Sequence, residues 1–231
     1  MIPKFIINLV TETFIYLKYE IILSHKWDNT MLTKNQIDIL NLYRKNIFLE
    51  SSMLGLKKDL KKSSYQRIYE AVKELEKEEV IKIKKIGNSS VCKINLSQKS
   101  ISLLSQIDEQ ESFLMKIPGI EKILDFKEFL DDIIIVTGSY ARRNQTSKSD
   151  IDLVIITKED AFKKQKLIEN LTILFIPKIH PITITYKDFI DMLLDKSENY
   201  GKEIFKNRLL FRNSRRYYEL IKEAIDNGFR S

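Results

Sequence analysis

Two apolar runs in the second half of the chain, residues 133–136 and 153–156, constrain the fold more than any other feature. Both are short, rich in β-branched side chains and separated by polar sequence, so each predicts a buried strand of a sheet. Asp150 and Asp152 stand at the start of the second run. Because side chains alternate along a strand, the two carboxylates face the same side, roughly 6.7 Å apart along the chain.

The paired carboxylates predict a metal site. Two like charges side by side repel each other and are costly on a buried sheet, and a divalent cation that binds both removes that cost. Hard oxygen ligands suit Mg²⁺ or Mn²⁺. The alternative is an ordinary acidic strand start, which leaves the pairing of Asp150 and Asp152 without a reason.

A phosphate-binding turn is predicted directly after the first strand. Gly138 permits a tight turn and a close approach of the backbone to a ligand, and Ser139 adds a hydroxyl beside free amides at a helix start. Arg142 and Arg143 follow closely and are candidates for binding phosphate oxygens. A phosphate-binding turn that faces a metal-binding carboxylate pair is typical of phosphoryl or nucleotidyl transfer.

The sequence Gly138-Ser139, ten further residues and then Asp150-x-Asp152, with a strand on each side, resembles the nucleotidyltransferase superfamily of DNA polymerase beta. The resemblance is closest to its minimal nucleotidyltransferases and extends from about residue 117 to the end. It implies a small mixed sheet and Mg²⁺-dependent transfer of a nucleoside monophosphate from an NTP. Gly138 and Ser139 would bind the β- and γ-phosphates, and Asp150 and Asp152 would be the catalytic metal ligands.

One position departs from the pattern of that superfamily. A third strand, predicted at residues 179–185, often supplies a third carboxylate, and the corresponding residue here is His180. The departure leaves catalytic turnover open. A second basic cluster at Arg208, Arg212, Arg215 and Arg216 is either a further triphosphate contact or a solvated helix end.

Composition narrows the class of protein. With 43% hydrophobic and 31% charged residues among 231, the chain is a globular protein rather than a membrane-spanning one. The apolar segment 5–23 carries Glu12, Lys18 and Glu20, so we expect it to pack against the protein itself or a second subunit. A single cysteine, Cys92, excludes an internal disulfide framework and favours the cytoplasm.

The net charge of +7 is concentrated in residues 31–96, which contain 14 Lys and Arg against 8 Asp and Glu. This block predicts three helices, beginning near Thr33, near Ser52 and at a capping box of Ser63 with Gln66. A hairpin of residues 80–86 and 90–96 follows, with its turn at Gly87-Asn88. Element order and length resemble a winged helix-turn-helix.

That resemblance implies DNA binding. The third helix would enter the major groove by its first turns, and the hairpin would lie along the phosphate backbone. Alternatively, this part binds protein, such as a second copy of the chain, and its lysines are only solvated. The candidate DNA contacts are Lys61, Lys62, Gln66, Arg67, Lys82, Lys84 and Lys85.

The predicted organisation has three parts and an α/β (α+β) fold class. Residues 1–30 have no clear pattern, 31–116 form a winged helix-turn-helix with a connecting helix, and 117–231 form the transferase domain, entered at Pro118-Gly119. Helices are expected at 121–130, 158–170, 188–205 and 214–227.

Two functions follow from these features. The first is a nucleotidyltransferase fused to a DNA-binding domain, whose acceptor is a protein side chain or an RNA end. Family analogy adds an antitoxin-type role with a toxin as partner. The second is a winged-helix transcriptional regulator, whose degenerate transferase domain only binds nucleotide or a partner. The sequence does not give the base of the NTP, the acceptor, the DNA target or the oligomeric state, for which a homodimer is one candidate.

Overall fold

A computed structural model of the chain describes residues 32–87 and 89–230. The predictions for residues 1–30, and for Asn88 in the hairpin turn, lie outside the described residues. No helix in the described part is both long and apolar enough to cross a membrane. Cys92 is a buried free thiol, and burial raises its pKa to about 11.

Three helices open the described chain: α1, Lys34–Lys45; α2, Met53–Asp59; and α3, Tyr65–Lys77. Thr33 caps α1 as predicted, because its hydroxyl accepts from the Gln36 amide at 3.3 Å while the Gln36 side chain accepts from the Thr33 amide at 2.6 Å.

The cap of α3 differs from the prediction by one residue. Ser64, not Ser63, accepts a hydrogen bond from the Arg67 amide at 3.4 Å. The expected partner Gln66 instead donates to Glu70 one turn further along, at 2.9 Å. In a run of two serines, either residue can serve as the cap.

The predicted hairpin is confirmed as β2, Ile81–Ile86, and β3, Ser89–Ile94. A two-residue strand β1, Ser51–Ser52, pairs with β3 on its other side, giving the order β1-β3-β2. Gly87 begins the turn with a φ of +58°, a backbone conformation that glycine adopts without strain. Three helices, with β1 between the first and the second, and the hairpin after the third form the predicted winged helix-turn-helix.

The connecting helix α4, Gln98–Phe113, packs against both halves of the chain. It contacts α1 on one side. On the other side it contacts the strand β7, Leu209–Arg212, and the last helix, α10, Ser214–Asp226. The winged helix is therefore connected to the second half through a packed helix and not through a free linker.

The second half is built on a four-stranded sheet in the order β6-β5-β4-β7. Its further strands are β4, Ile133–Thr137; β5, Ile151–Thr157; and β6, Ile179–Thr185. Strands β5 and β6 are parallel, whereas β4 is antiparallel to both β5 and β7. The β-branched runs in β4 and β5 are buried as the sequence predicts, with Asp152 the half-buried exception in β5.

The remaining elements are α5, Ile120–Leu124; a 3₁₀ turn, Lys127–Phe129; α6, Gly138–Ala141; α7, Ala161–Thr172; α8, Tyr186–Leu194; and α9, Tyr200–Lys206.

Alternate residues of the strands enter two different cores. Ile134 and Leu153 face a core under the short helix α5 and the helix α7. Ile133 and Val154 face a core that includes α8 and α10 and continues into the winged helix at Ile39.

Two predicted helices differ from the structure, and one strand was not predicted. The helix expected at 121–130 is a five-residue helix and a 3₁₀ turn. The helix expected at 188–205 is two helices, because Asp195 ends the first and Asn199 caps the second by accepting from the Lys202 amide at 3.1 Å. Strand β7 is missed by the sequence analysis, since its four residues gain their conformation from pairing with β4.

A buried ionic cluster joins the two halves. Asp108 of α4, with no exposed side-chain surface, accepts from Arg44 of α1 at 3.0 Å, and an Arg208 guanidinium nitrogen lies 3.1 Å from it. The Tyr218 hydroxyl donates to the same carboxylate at 2.7 Å. Burial and the charge of Asp108 raise the pKa of Tyr218 well above its usual value.

Substitution of Asp108 by Asn leaves Arg208 charged and buried without a counterion. Breaking a buried pair on one side costs about 3–5 kcal/mol, and we expect that loss in the free energy of unfolding measured by urea denaturation. The control is Asp226→Asn, which removes an exposed pair with Lys222 on α10 and should cost less than about 1 kcal/mol. Equal losses in both variants would contradict a structural role for the cluster.

Candidate active site

The two aspartates lie where β4 ends and β5 begins. Thr137, the last residue of β4, pairs with Asp152 across the two strands, and Gly138 follows at once. Asp150 precedes β5 by one residue and shares with Asp152 the sheet face that Val154 and Ile156 occupy. The sheet therefore brings the predicted carboxylate pair and the predicted phosphate-binding turn to one edge.

Gly138 is required by the geometry of this edge. Its φ is +66°, and a β-carbon added there would lie 1.9 Å from Oδ2 of Asp152. No other residue leaves room for that carboxylate, and other residues would also be strained at this φ. The absence of a side chain lets Asp152 approach the backbone that carries Ser139, which is half-buried.

His180 lies opposite Asp152 in the register of the parallel strands β5 and β6. Its Nε2 is 3.3 Å from Oδ2 of Asp150, and the two side chains are 49% and 43% exposed. The histidine thus lies on the strand next to β5, beside the predicted carboxylate pair. It contacts one member of the pair.

The carboxylate pair fits a hard divalent cation with an incomplete protein ligand set. Within residues 32–87 and 89–230, no group of three or more His, Cys, Asp or Glu side chains is arranged to hold a metal ion. Mg²⁺ in nucleotide enzymes commonly takes one or two carboxylates, completing its ligands with phosphate oxygens and water. Asp150 and Asp152 match that donor set.

The two arginines after the predicted phosphate-binding turn already have acidic partners. Arg142 donates to Glu203 of α9 at 2.7 Å, and Arg143 lies 3.8 Å from Glu111 of α4. Both arginine side chains are largely exposed, at 45% and 63%. A triphosphate bound here would compete with these carboxylates for the guanidinium groups.

The arginines of the second basic cluster have separate partners. Arg208 is buried against Asp108, and Arg212 donates to the Leu124 carbonyl. Arg215 and Arg216 are exposed and both pair with Glu219 of the same helix.

The sequence analysis missed Tyr200 and Glu203. Tyr200 begins α9, and burial, followed by the charge of Asp152, raises its pKa to about 12. Glu203 also accepts from Asn207 at 3.1 Å, and the Asn207 carbonyl accepts from the Thr137 hydroxyl at 2.7 Å. The cap at Asn199 is the signal that would have placed a helix start beside the site.

Some of the candidate DNA contacts pair with other side chains, whereas others are exposed. Lys62 is 2.6 Å from Asp38, and Gln66 donates to Glu70. Lys61, Lys57 and Lys58 line a cavity of 440 Å³ beside α2. Exposed side chains on the first turn of α3 and on the hairpin are Arg67, Lys82, Lys84 and Lys85.

Comparison with known proteins identifies the second half. Residues 117–211 match the nucleotidyltransferase domain. A candidate protein adenylyltransferase of Methanocaldococcus jannaschii is 34% identical over 101 residues, covering 37% of this chain and 97% of that protein.

Two solved transcriptional regulators each cover 53% of this chain and 90% of their own. They are BldR of Sulfolobus solfataricus, with 17% identity and a TM-score of 0.32, and MepR of Staphylococcus aureus, which regulates the multidrug efflux pump MepA, with 12% and 0.35. Scores this low add nothing to the winged helix described above.

The M. jannaschii relative is matched over nearly its whole length, and the matched domain includes the edge that carries Gly138, Asp150 and Asp152. The chain therefore belongs to the nucleotidyltransferase family and is a nucleotidyltransferase.

Proposed function

We propose that the chain transfers a nucleoside monophosphate from an NTP to an acceptor hydroxyl, with Mg²⁺ or Mn²⁺ held by Asp150 and Asp152. The observation that carries the proposal is the place of the Asp152 carboxylate directly against Gly138. It brings a metal ligand and a phosphate-binding backbone together. The name of the M. jannaschii relative supports ATP as donor and protein as acceptor.

In this proposal the chain's own groups position and neutralise the triphosphate. Gly138 and Ser139 offer backbone amides and a hydroxyl to the β- and γ-phosphates. Asp150 and Asp152 fix the cation, which when bound supplies positive charge to the phosphate oxygens as negative charge develops on them. Catalysis then rests on positioning and electrostatics, and none of these residues is assigned as the acceptor's base.

Arg142 and Arg143 complete the donor site by exchanging partners. The guanidinium of each is exposed and within reach of a carboxylate, Glu203 and Glu111 respectively. Exposed ion pairs of this kind contribute at most about 1 kcal/mol, so a polyanionic triphosphate displaces the carboxylates at small cost. Planar guanidinium groups bind phosphate oxygens through two hydrogen bonds at once.

The second candidate function is a regulator with little or no turnover. The contact of His180 with Asp150 favours it, because an imidazole stands in the strand position expected for a third acid. A histidine binds Mg²⁺ poorly. In this alternative the site holds nucleotide without efficient transfer.

We also propose that the winged helix binds DNA. Arg67 at the start of α3 would face base edges, and the exposed hairpin residues Lys82, Lys84 and Lys85 would contact phosphates. A transferase tied to a DNA-binding unit suits an antitoxin-type protein that modifies its toxin and represses its own promoter. Both functions could then operate in one chain.

Asp150→Asn and Asp152→Asn should each reduce transfer of label from an α-labelled NTP to background, because losing one of the two carboxylates weakens the binding of the cation and changes its position. Without metal, unfolding in urea should show unchanged or slightly higher stability, since a repulsion is removed. The control is Asp160→Asn, where Asp160 caps α7 by accepting from the Lys163 amide at 3.1 Å, a task that asparagine performs equally well. Wild-type transfer in either site variant would remove the aspartates from the mechanism.

The substitution His180→Asp distinguishes the enzyme hypothesis from the regulator hypothesis. If the histidine weakens a metal site, wild-type transfer is slow with Mg²⁺ and faster with Mn²⁺, which accepts imidazole more readily. The variant should then transfer faster with Mg²⁺ at unchanged NTP affinity. Rapid wild-type transfer with Mg²⁺ that His180→Asp destroys would instead give the histidine a role of its own. If the chain bound no NTP in the presence of either metal, the enzyme hypothesis would be contradicted.

Lys82→Ala, Lys84→Ala and Lys85→Ala combined should weaken binding to all DNA sequences and flatten its salt dependence. The slope of log K against log salt falls by up to about 0.9 for each lost phosphate contact. A matched control removes three exposed lysines of the transferase half, Lys163, Lys187 and Lys196. Fluorescence anisotropy with promoter DNA at several salt concentrations measures both, and equal slopes in the two variants would contradict the proposed interface.

A further inference from the structure

A short loop between α7 and β6 exposes three aliphatic side chains. Ile173, Leu174 and Ile176 are 77%, 89% and 94% exposed, more than any other large apolar residue in the described part of the chain. We call these three residues the aliphatic loop. A contiguous apolar surface that water reaches is uncommon on a soluble protein and marks a contact site.

The loop is anchored by the residue between them. The Phe175 ring lies 6.4 Å from the Phe126 ring, and Lys122 Nζ is 5.9 Å from its centre. Gly119 makes room for it, since a β-carbon there would be 3.2 Å from the ring. The Phe175 amide donates to the Thr172 carbonyl at 3.0 Å. Because Phe175 packs inward, its neighbours point outward.

The aliphatic loop lies at the same edge of the sheet as the candidate active site. Strands β5 and β6 are parallel, so both begin at this edge, and the loop leads into β6. The Ile151 amide, between the two aspartates, donates to the Lys178 carbonyl at 2.9 Å. His180, which contacts Asp150, follows two residues later. Any macromolecule that presents a hydroxyl to the aspartates approaches beside this loop.

We infer, resting on the proposed function, that the aliphatic loop docks the acceptor and that the acceptor is a protein. Residues 173–178, which link α7 to β6, have one charged side chain, the exposed Lys178, and their one aromatic ring is packed inward. RNA is bound through clusters of basic groups and through aromatic rings that stack on bases, and the three outward side chains of the aliphatic loop offer neither. Aliphatic side chains instead fit an apolar groove of a folded protein, beside the hydroxyl side chain that is modified.

The test uses the full chain, an α-labelled NTP and extract of the source organism. Wild type should label a protease-sensitive, RNase-resistant band. The variant Ile173→Ser/Leu174→Ser/Ile176→Ser should lower that labelling at least about tenfold with unchanged NTP affinity. A control, Leu54→Ser/Leu114→Ser/Leu130→Ser, removes three leucines that are 55–64% exposed elsewhere and should label as wild type does.

A single substitution provides a second test in case the triple variant misfolds. Leu174→Glu alters a side chain that is 89% exposed and should lower labelling in the same way, with an unchanged urea midpoint. Undiminished labelling by both loop variants would overturn the docking and leave the proposed function intact. An RNase-sensitive product would make the acceptor RNA and also overturn it. No labelled product from wild type would overturn the proposed function, and the docking with it.

The other possible occupants are residues 1–31 of the same chain and a second copy. A Leu174→Cys variant should react with a maleimide as fast as an exposed thiol in the isolated protein, Cys92 being buried. Protection of that thiol in the isolated protein, or a dimer that the triple loop substitution converts to monomer, would assign the loop to self-contact and overturn the inference.

Discussion

The arrangement of the described part of the chain depends on one desolvated carboxylate. Asp108 contacts Arg44 of the winged helix and Arg208 and Tyr218 of the transferase half. A buried carboxylate costs several kcal/mol unless it is paired, so none of these groups is stable in that environment without the others. The cluster therefore ties α4 to both halves beside the core that they share.

The edge of the sheet that carries the candidate active site depends on a second constraint, which is the lack of a side chain at Gly138. The close approach of Asp152 to this residue lets the sheet present the proposed metal ligand and the proposed phosphate-binding backbone at one point. The surrounding acids, Glu203 and Glu111, keep the two nearby arginines charge-paired in the absence of nucleotide. The carboxylates of the candidate site are thus already in position. Its two arginines are held by acidic partners that a ligand can replace.

Local patterns were sufficient for the parts of the fold that carry strong periodicity. The β-branched runs of β4 and β5, the Thr33 cap and the hairpin at Gly87 could all be predicted, because each signal lies within a few residues. Strand β7 could not, since its conformation comes from pairing with β4, which lies about seventy residues earlier in the sequence. The Gly-Ser and Asp-x-Asp motif predicted which residues meet at the edge. The partners of Arg142, Arg143 and His180 come from elements distant in sequence, so no local pattern indicates them.

The packing of α4 has a consequence for how such a chain can arise by gene fusion. Because this helix contacts α1, β7 and α10 at once, a winged helix exchanged for another would bring a foreign surface against the back of the transferase sheet. The segment that could be transplanted between relatives is therefore the winged helix together with its connecting helix and the arginine and tyrosine that meet Asp108. Joining two chains at the apparent boundary near Pro118 would instead separate Asp108 from the arginine and tyrosine that contact it.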